Sequence, residues 1–173
     1  MTMTINTLNT LTTVDAINWF MQTCTASRWC KLMASNRPYN DTIQLKEQAL
    51  RCWGEMQTED FLEAFGGHPM IGDLSTLRKK YANTKALASN EQSGTQEASD
   101  AVLLNLKTQN QAYLDKHGFI FIVCASGLSA QAMLDMLNAR ITNTTESEFV
   151  NAAAEQLKIT QLRIEKAFGE KSA

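Results

Sequence analysis

The sequence predicts an all-α protein: a single compact multi-helix domain over residues 1–173, with its core at about 14–168. Three observations predict this class. The chain holds only 2 prolines and 8 glycines among 173 residues, which is few for an all-β protein of this size. Apolar residues recur at the three- and four-residue spacing of amphipathic helices. Residues typical of helix N-caps precede most of these apolar segments.

Four helices are predicted in the first part of the chain. They cover about 14–20 after Thr12 and Thr13, 25–34 ending before Pro38, 41–56, and 59–65 with Thr58 as N-cap and Gly66 as C-terminal stop. The acidic first turn of the fourth helix suits the positive end of a helix dipole. In the third helix, the residues expected to face inward are Ile43, Leu45, Ala49, Leu50 and Trp53.

Four more helices are predicted after the histidine at position 68. The first is capped by Asp73 or Ser75 and runs through Lys85, and the second is a long helix that begins with the capping box Ser89-Asn-Glu-Gln92 and ends at about Lys116. The third runs from Ser129 to Arg140. The last begins with the capping box Thr145-Glu-Ser-Glu148 and runs to Phe168, before Gly169. The spacing of serine or threonine and a Glu or Gln three residues later is the signature of such a box.

One segment departs from the helical pattern. Residues 118–127, Gly-Phe-Ile-Phe-Ile-Val-Cys-Ala-Ser-Gly, are rich in β-branched and aromatic side chains and would by themselves be predicted as a strand. A single strand has no partner in an all-helical protein. We therefore expect a buried extended connector, whose backbone groups need hydrogen-bond partners that a polar ligand could supply in part.

Composition excludes several classes of function. With 16 basic and 18 acidic residues the net charge is -2, which gives no electrostatic basis for binding nucleic acid or an anionic membrane. No apolar run approaches the roughly 20 residues needed to span a bilayer. The first residues lack the features of a signal peptide, so a cytoplasmic location is expected. The four cysteines, without a CxxC pair or a nearby histidine, predict reduced thiols and no bound metal.

His68 is the strongest candidate for chemistry. It lies between Gly66-Gly67 and Pro69, where flexible and rigid residues together predict a non-helical corner. A titratable imidazole held in a defined direction suits acid–base catalysis. The alternative is that the segment only ends one helix and begins another.

Two further residues could join such a site. Glu91, at the second position of its predicted helix, could accept hydrogen bonds from a ligand, although many helices have an acidic first turn. Arg163 has no acidic residue three or four positions away, so it could bind a distant anion or lie along the edge of the core. His117 is expected to be structural, at a helix C-terminus. No nucleophile elbow, P-loop or dinucleotide motif is present.

Taken as a set, these segments resemble the 2-oxo-4-hydroxy-4-carboxy-5-ureidoimidazoline (OHCU) decarboxylase family of purine catabolism. The matching pieces are Phe-Gly-Gly-His-Pro-Met-Ile-Gly-Asp at 65–73, Glu91-Gln92, Gly-Phe-Ile-Phe-Ile-Val-Cys-Ala at 118–125, the segment from Ser129 through Leu134 to Arg140, and Glu-Gln-Leu-Lys-Ile-Thr-Gln-Leu-Arg at 155–163. The resemblance spans about residues 14–168 in the family's order, and the set is more specific than any one piece.

The resemblance implies an all-helical homodimer that needs no cofactor and converts OHCU to (S)-allantoin and carbon dioxide. His68 would be the essential histidine, with Pro69 shaping the pocket beside it. Glu91 would accept from ring NH groups, and Arg163 would bind the carboxylate or a ring carbonyl. The remaining substrate contacts would come from the side chain of Gln92 and the backbone of Ile120, Phe121, Ile122 and Val123. Some relatives carry a contacting serine where this chain has Ala88, and Ser89 is its neighbour.

Two other functions fit the residues without the resemblance. A helical adaptor that binds a partner protein predicts a flat or grooved apolar surface, and its function would not depend on His68. A lyase or hydrolase that acts on another ureide could use the same histidine, glutamate and arginine. The elaborate Gly-Gly-His-Pro corner argues against the adaptor.

Overall fold

The computed structural model of the chain describes residues 2–69 and 95–169. These residues contain eight α-helices and no β-strand, which confirms the all-α prediction. The helices are α1 (Ile5–Thr10), α2 (Thr13–Met21), α3 (Ser27–Ser35), α4 (Thr42–Gly54), α5 (Thr58–Gly66), α6 (Thr95–His117), α7 (Ala130–Arg140) and α8 (Thr145–Ala167). The helix predicted from Asp73 or Ser75 to Lys85 and the capping box at Ser89 lie outside the described residues.

The described residues form two compact units. The first unit comprises residues 2–68 and 152–169, and the second comprises residue 69 and residues 95–151. The division falls within α8, which contributes its first turns to the second unit and the rest to the first. A single domain over the whole chain therefore stays a prediction.

The core of the first unit is built around aromatic side chains whose polar atoms are satisfied. Phe20 and Trp29 are fully buried, and their rings meet edge to face with centroids 5.8 Å apart. The indole nitrogen of Trp29 donates to the carbonyl of Ala49 at 3.1 Å. Trp53 donates in the same way to the carbonyl of Ala153 at 3.0 Å. Large apolar rings thus enter the core without leaving a buried N–H unpaired, which would cost about 1–3 kcal/mol.

The helix starts differ from several predictions. Helix α1 is not predicted, because its short sequence buries one residue, Leu8, and its start depends on Thr4, whose side chain accepts from the backbone of Thr7. Helix α3 begins two residues later than expected. Thr58 is the first residue of α5 and not its N-cap. Gln57 is the cap, and the Asp60 side chain accepts from its backbone nitrogen.

The inward face of α4 is narrower than predicted. Leu45, Ala49 and Trp53 are buried as expected, at a spacing of four residues. Ile43 and Leu50 are 65% and 56% exposed, so their assignment to the core was wrong. Each residue turns the helix by about 100°, which places Ile43 about 200° from Leu45. The partners that cover α4 reach only one stripe of its surface.

The second unit tests two predictions. The predicted connector is confirmed as neither helix nor strand between α6 and α7, with Phe119 and Ile122 buried and positive φ angles of 79° and 77° at Gly118 and Gly127. The prediction of a capping box from Thr145 to Glu148 at the start of α8 was wrong. Thr144 accepts from the backbone of Ser147, and the carboxylate of Glu148 turns into the interior.

In the described part of the chain, no helix has the length and apolarity to cross a membrane.

Candidate active site

The corner that carries His68 depends on close packing and not on an unusual backbone angle. Helix α5 ends at Gly66, and Gly67 follows with a φ of -75°, which any residue can adopt. A Cβ atom on Gly67 would lie 2.0 Å from Oγ1 of Thr25. That hydroxyl donates to the carbonyl of Glu63 at 3.2 Å, which seats Thr25 against the last turn of the helix. Gly67 is therefore needed because Thr25 occupies the space of its side chain.

Substitution of the two glycines separates these explanations. We expect Gly67→Ala to lower the free energy of unfolding by about 1–3 kcal/mol, the usual cost of inserting a methyl group into packed space. Gly66→Ala is the matched control, since nothing lies within 4 Å of its Cβ position. It should be neutral or stabilise by up to about 1 kcal/mol, because alanine favours a helix. Urea unfolding of both variants measures the difference, and equal stabilities would contradict the packing explanation.

His68 is half-buried at the end of α5 and makes one described side-chain hydrogen bond. Its Nε2 lies 2.5 Å from Oε1 of Gln156, a residue of α8 that is only 1% exposed. Burial lowers the pKa of His68 below its ordinary value, and the positive charge of Arg163 lowers it further, while the hydrogen bond to Gln156 opposes both. The ring is therefore neutral near pH 7 and can accept a proton.

Arg163 lies in the same unit as His68, on α8. One guanidinium nitrogen, Nη1, donates to the backbone carbonyl of Thr23 at 3.1 Å. Among the described residues no carboxylate forms an ion pair with it, in agreement with its lack of an acidic neighbour in the sequence. Arg163 lines an open cleft of about 420 Å³ whose other walls are Trp19, Gln22, Thr23, Lys166 and Ala167. Two cations in one cleft favour an anionic ligand.

The other predicted site residues fall into three groups. Glu91 and Gln92 lie outside the described residues. Pro69 directly follows His68 and is exposed. The connector residues Ile120, Phe121, Ile122 and Val123 belong to the second unit.

Arg140 holds the middle of this connector within the second unit. Its Nη1 donates to the carbonyl of Ile122 at 2.8 Å, and its guanidinium carbon lies 4.6 Å from the centre of the Phe121 ring. Cation–π contacts of this kind contribute about 0.5–1 kcal/mol at exposed sites and more when desolvated. One backbone acceptor of the connector is thus already satisfied from within the protein.

Sequence reasoning missed Gln156 and Thr160. The Gln156 amide nitrogen donates to Oγ1 of Thr160 at 3.2 Å, and both side chains are buried. With Arg163 they lie at i, i+4 and i+7, on one face of α8, which positions them together. Their spacing could be read from the sequence, but α8 carries many other polar residues, so the spacing did not single them out or name a partner for them.

His117 and the cysteines are the other candidates for reactive side chains. His117 is buried at the end of α6, as predicted, and its Nδ1 lies 3.0 Å from Oγ1 of Thr145. The four cysteines are free thiols, and burial raises the pKa of Cys24 to about 11. Within the described ranges, no group of three or more histidine, cysteine or acidic side chains could hold a metal ion.

The fold and the site together define a helical protein whose first unit carries a half-buried imidazole and an arginine that has no ion-pair partner among the described residues. The chain belongs to the OHCU decarboxylase family, whose model matches residues 9–165. A uric acid degradation bifunctional protein TTL from Arabidopsis thaliana is 32% identical over 149 residues, which cover 86% of this chain and 46% of that protein. A uric acid degradation bifunctional protein from Bacillus sp. (strain TB-90) is 26% identical, over 97% of this chain and 33% of that one.

A solved structure agrees with this membership. A crystal structure of OHCU decarboxylase in the presence of (S)-allantoin matches with a TM-score of 0.70 and 31% identity, covering 89% of this chain and 99% of that chain. The two bifunctional relatives are longer: this chain spans between 33% and 46% of their length.

Proposed function

We propose that this protein catalyses the cofactor-independent decarboxylation of OHCU to (S)-allantoin in urate breakdown. The observation that carries the proposal is the half-buried imidazole of His68, hydrogen-bonded to the buried Gln156 side chain, in a chain of this family. The names of the bifunctional relatives support a place in urate degradation. The solved relative studied with (S)-allantoin supports the identity of the product.

The reaction makes modest chemical demands. The bond between the ring carbon and the carboxylate breaks, carbon dioxide leaves, and the electron pair passes into the adjacent imine or carbonyl system of the ring as an enolate-like species. The ring atom that receives the electron pair takes up one proton from solvent. The hydroxyl on the same carbon loses its proton as it becomes a carbonyl, and a proton is delivered to one face of the neighbouring ring carbon, which sets the chirality of the product. Because the substrate's own ring accepts the electron pair, neither a metal nor an organic cofactor is required.

The side chains are assigned roles that fit these steps. His68, neutral near pH 7, manages the proton of the substrate hydroxyl. Arg163 binds the carboxylate or a ring carbonyl, since a guanidinium can form two parallel hydrogen bonds to such a group. Glu91 and Gln92 hold the ring nitrogens, and Pro69 and the connector backbone at 120–123 enclose the ring. These last roles rest on the family resemblance.

The proposal extends to assembly and location. It includes a homodimer in the cytoplasm that acts on a small ureidoimidazoline, as the family resemblance implies. The net charge of -2 supports the part of the proposal that excludes nucleic acid and anionic membrane as partners. An exposed apolar side chain is present in each unit, at Ile43 in the first and Val150 in the second, and either could contribute to a subunit interface.

Product chirality tests the proposal directly. Substrate is generated from urate with urate oxidase and hydroxyisourate hydrolase, this protein is added, and circular dichroism is recorded. Spontaneous decay gives racemic allantoin and no lasting signal, so we expect a fast, persistent signal of one sign only when the protein is present. A rate equal to the spontaneous one would overturn the assignment. Turnover of another ureide would then support the related lyase or hydrolase, and complete inactivity would favour the adaptor.

A further inference from the structure

The hydrogen bonds around Gln156 constrain which nitrogen of His68 carries the proton. Thr160 has one hydroxyl hydrogen, and its Oγ1 donates to the backbone carbonyl of Gln156 at 3.0 Å. The lone pairs of that oxygen are therefore the part that faces the Gln156 side chain, at 3.2 Å. A lone pair needs a donor, so the NH₂ end of the amide points to Thr160.

The other end of the amide then faces His68. Oε1 of Gln156 can only accept a hydrogen bond, and it lies 2.5 Å from Nε2 of His68. Nε2 must therefore carry a hydrogen. In a neutral imidazole only one nitrogen is protonated, which leaves the lone pair on Nδ1.

We propose that Gln156 is a positioning residue that holds His68 in the Nε2–H tautomer, so that Nδ1 is the atom that accepts the substrate proton. This inference rests on the proposed function for its catalytic consequence, although the tautomer itself does not depend on it. Gln156 acts through His68 and needs no contact with the substrate. Thr160 acts through Gln156: it orients the amide, and the orientation of the amide determines the tautomer of His68.

Among the described residues, little else near His68 could set the tautomer. The charged group that acts on the ring from α8 is Arg163, whose guanidinium donates hydrogen bonds and disfavours the imidazolium form. Within α5 and the corner, His68 is bonded through its backbone nitrogen to the carbonyl of Phe65 at 3.2 Å. Among the described side chains, Gln156 supplies the hydrogen bond to the ring.

Nitrogen-15 NMR of the histidine rings tests the inference without any substrate. The chain has two histidines, so protein labelled at histidine gives two ring patterns, and the spectrum of His68→Asn assigns them. At a pH where both rings are neutral, we expect His68 to show a protonated Nε2 and a bare Nδ1. His117 provides an internal reference. A bare Nε2 on His68 in the wild-type protein would overturn the proposal whatever the variants do.

Substitutions of Gln156 should move the pKa of His68 in opposite directions. Gln156→Leu removes a hydrogen bond that raises this pKa, so the pKa should fall and the ring should average between tautomers. Gln156→Glu places a carboxylate beside Nε2 and should raise the pKa by about 1–3 units. The matched control is Gln161→Leu on the same helix, whose side chain donates to the carbonyl of Lys46 and which should leave the His68 signals unchanged. Unmoved signals in both Gln156 variants would overturn the proposal.

Thr160 supplies a second, independent set of variants. Thr160→Val keeps the shape of the side chain but removes the oxygen that orients the amide, so mixed tautomers are expected for His68. Thr160→Ser retains the hydroxyl and should restore the single tautomer. A merely structural role for Thr160 would lower stability in the valine variant without changing the ring pattern, and that result would contradict the proposal.

Kinetics then separate this inference from the proposed function. In an active protein, Gln156→Leu should reduce kcat at least about tenfold with little change in KM, because a positioned acid–base group contributes about 10²–10⁴ to the rate. The pH at half-maximal activity should follow the NMR pKa. An inactive wild-type protein with the expected tautomer would sink the function and leave the role of Gln156 in place. Full activity in Gln156→Leu would sink the inference alone.

Discussion

Replacing His68 by Asn is expected to reduce kcat/KM for OHCU about a hundredfold to ten-thousandfold while the helices remain folded. General acid–base catalysis by a positioned side chain contributes a factor of that size, and asparagine cannot accept a proton near pH 7. The Asn side chain still offers an N–H that can reach toward Oε1 of Gln156, the atom that bonds to the imidazole of His68 in the wild-type protein. His68→Ala should be as inactive but less stable, because a buried acceptor left unsatisfied costs about 1–3 kcal/mol.

The second histidine provides the matched control. His117→Asn changes the same residue type at a buried position whose ring bonds to Thr145 and not to a candidate catalytic group. It should lower the melting temperature and leave kcat/KM within about twofold of wild type. The rate of appearance of the persistent circular dichroism signal measures both variants, with far-ultraviolet spectra to verify folding. Substantial activity in His68→Asn would remove the histidine from the mechanism.

Replacing Glu148 by Ala is expected to lower the free energy of unfolding by about 3–5 kcal/mol, the usual cost of breaking a buried ion pair from one side. The carboxylate is fully buried and receives hydrogen bonds from four side chains of the second unit: Tyr113, Arg140, Asn143 and Asn151. Its removal would leave Arg140 without its counter-ion and the three other donors without an acceptor. Glu146→Ala, an exposed change in the same helical turn, should cost less than about 1 kcal/mol. Urea unfolding followed by circular dichroism compares the two variants, and equal losses would contradict the account.

Acid titration gives an independent test of the same carboxylate. Burial by itself would raise the pKa of Glu148, but the hydrogen bonds from Arg140, Tyr113, Asn143 and Asn151 lower it to about 2, from an ordinary value of 4.5. A group whose folded pKa is depressed stabilises the protein above its unfolded pKa, and this stability is lost as the pH falls toward the folded value. Stability should therefore decline between about pH 5 and pH 2. Glu148→Gln should flatten that part of the profile, and parallel profiles would show that other groups dominate.

Local patterns explain why most of the fold could be predicted. Helix α2 begins at Thr13 because the side chain of Thr12 accepts from the backbone of Asp15, and helix α7 begins after Ser129 for the same reason. These bonds connect residues three apart, so composition and spacing are sufficient to predict them. The connector was predicted in the same way, because the eight residues between Gly118 and Gly127 favoured an extended chain in a protein predicted to be all-helical.

The site could be predicted only in part. The corner at His68 follows from the order of glycine, histidine and proline, and the family resemblance adds Arg163 to the predicted site. Gln156 could not be assigned, because it lies 88 residues from His68 and its spacing on α8 is equally compatible with a solvent-exposed stripe. The reason for a glycine at position 67 could not be predicted either. Thr25 occupies the space of its side chain, and three helices separate these two residues along the chain.

The sequence by itself determined an all-helical protein of the OHCU decarboxylase family with a histidine on a shaped corner, because caps, periodicity and motifs are encoded within a few residues. Tertiary structure alone decided which face of α4 is buried, that Glu148 leaves its expected cap to bind Arg140, and which nitrogen of His68 is held by Gln156. Each of these outcomes depends on a partner distant along the chain or on the area that packing leaves uncovered. A buried polar group takes whichever partner the folded chain brings to it, since leaving it unsatisfied costs more than abandoning a local bond.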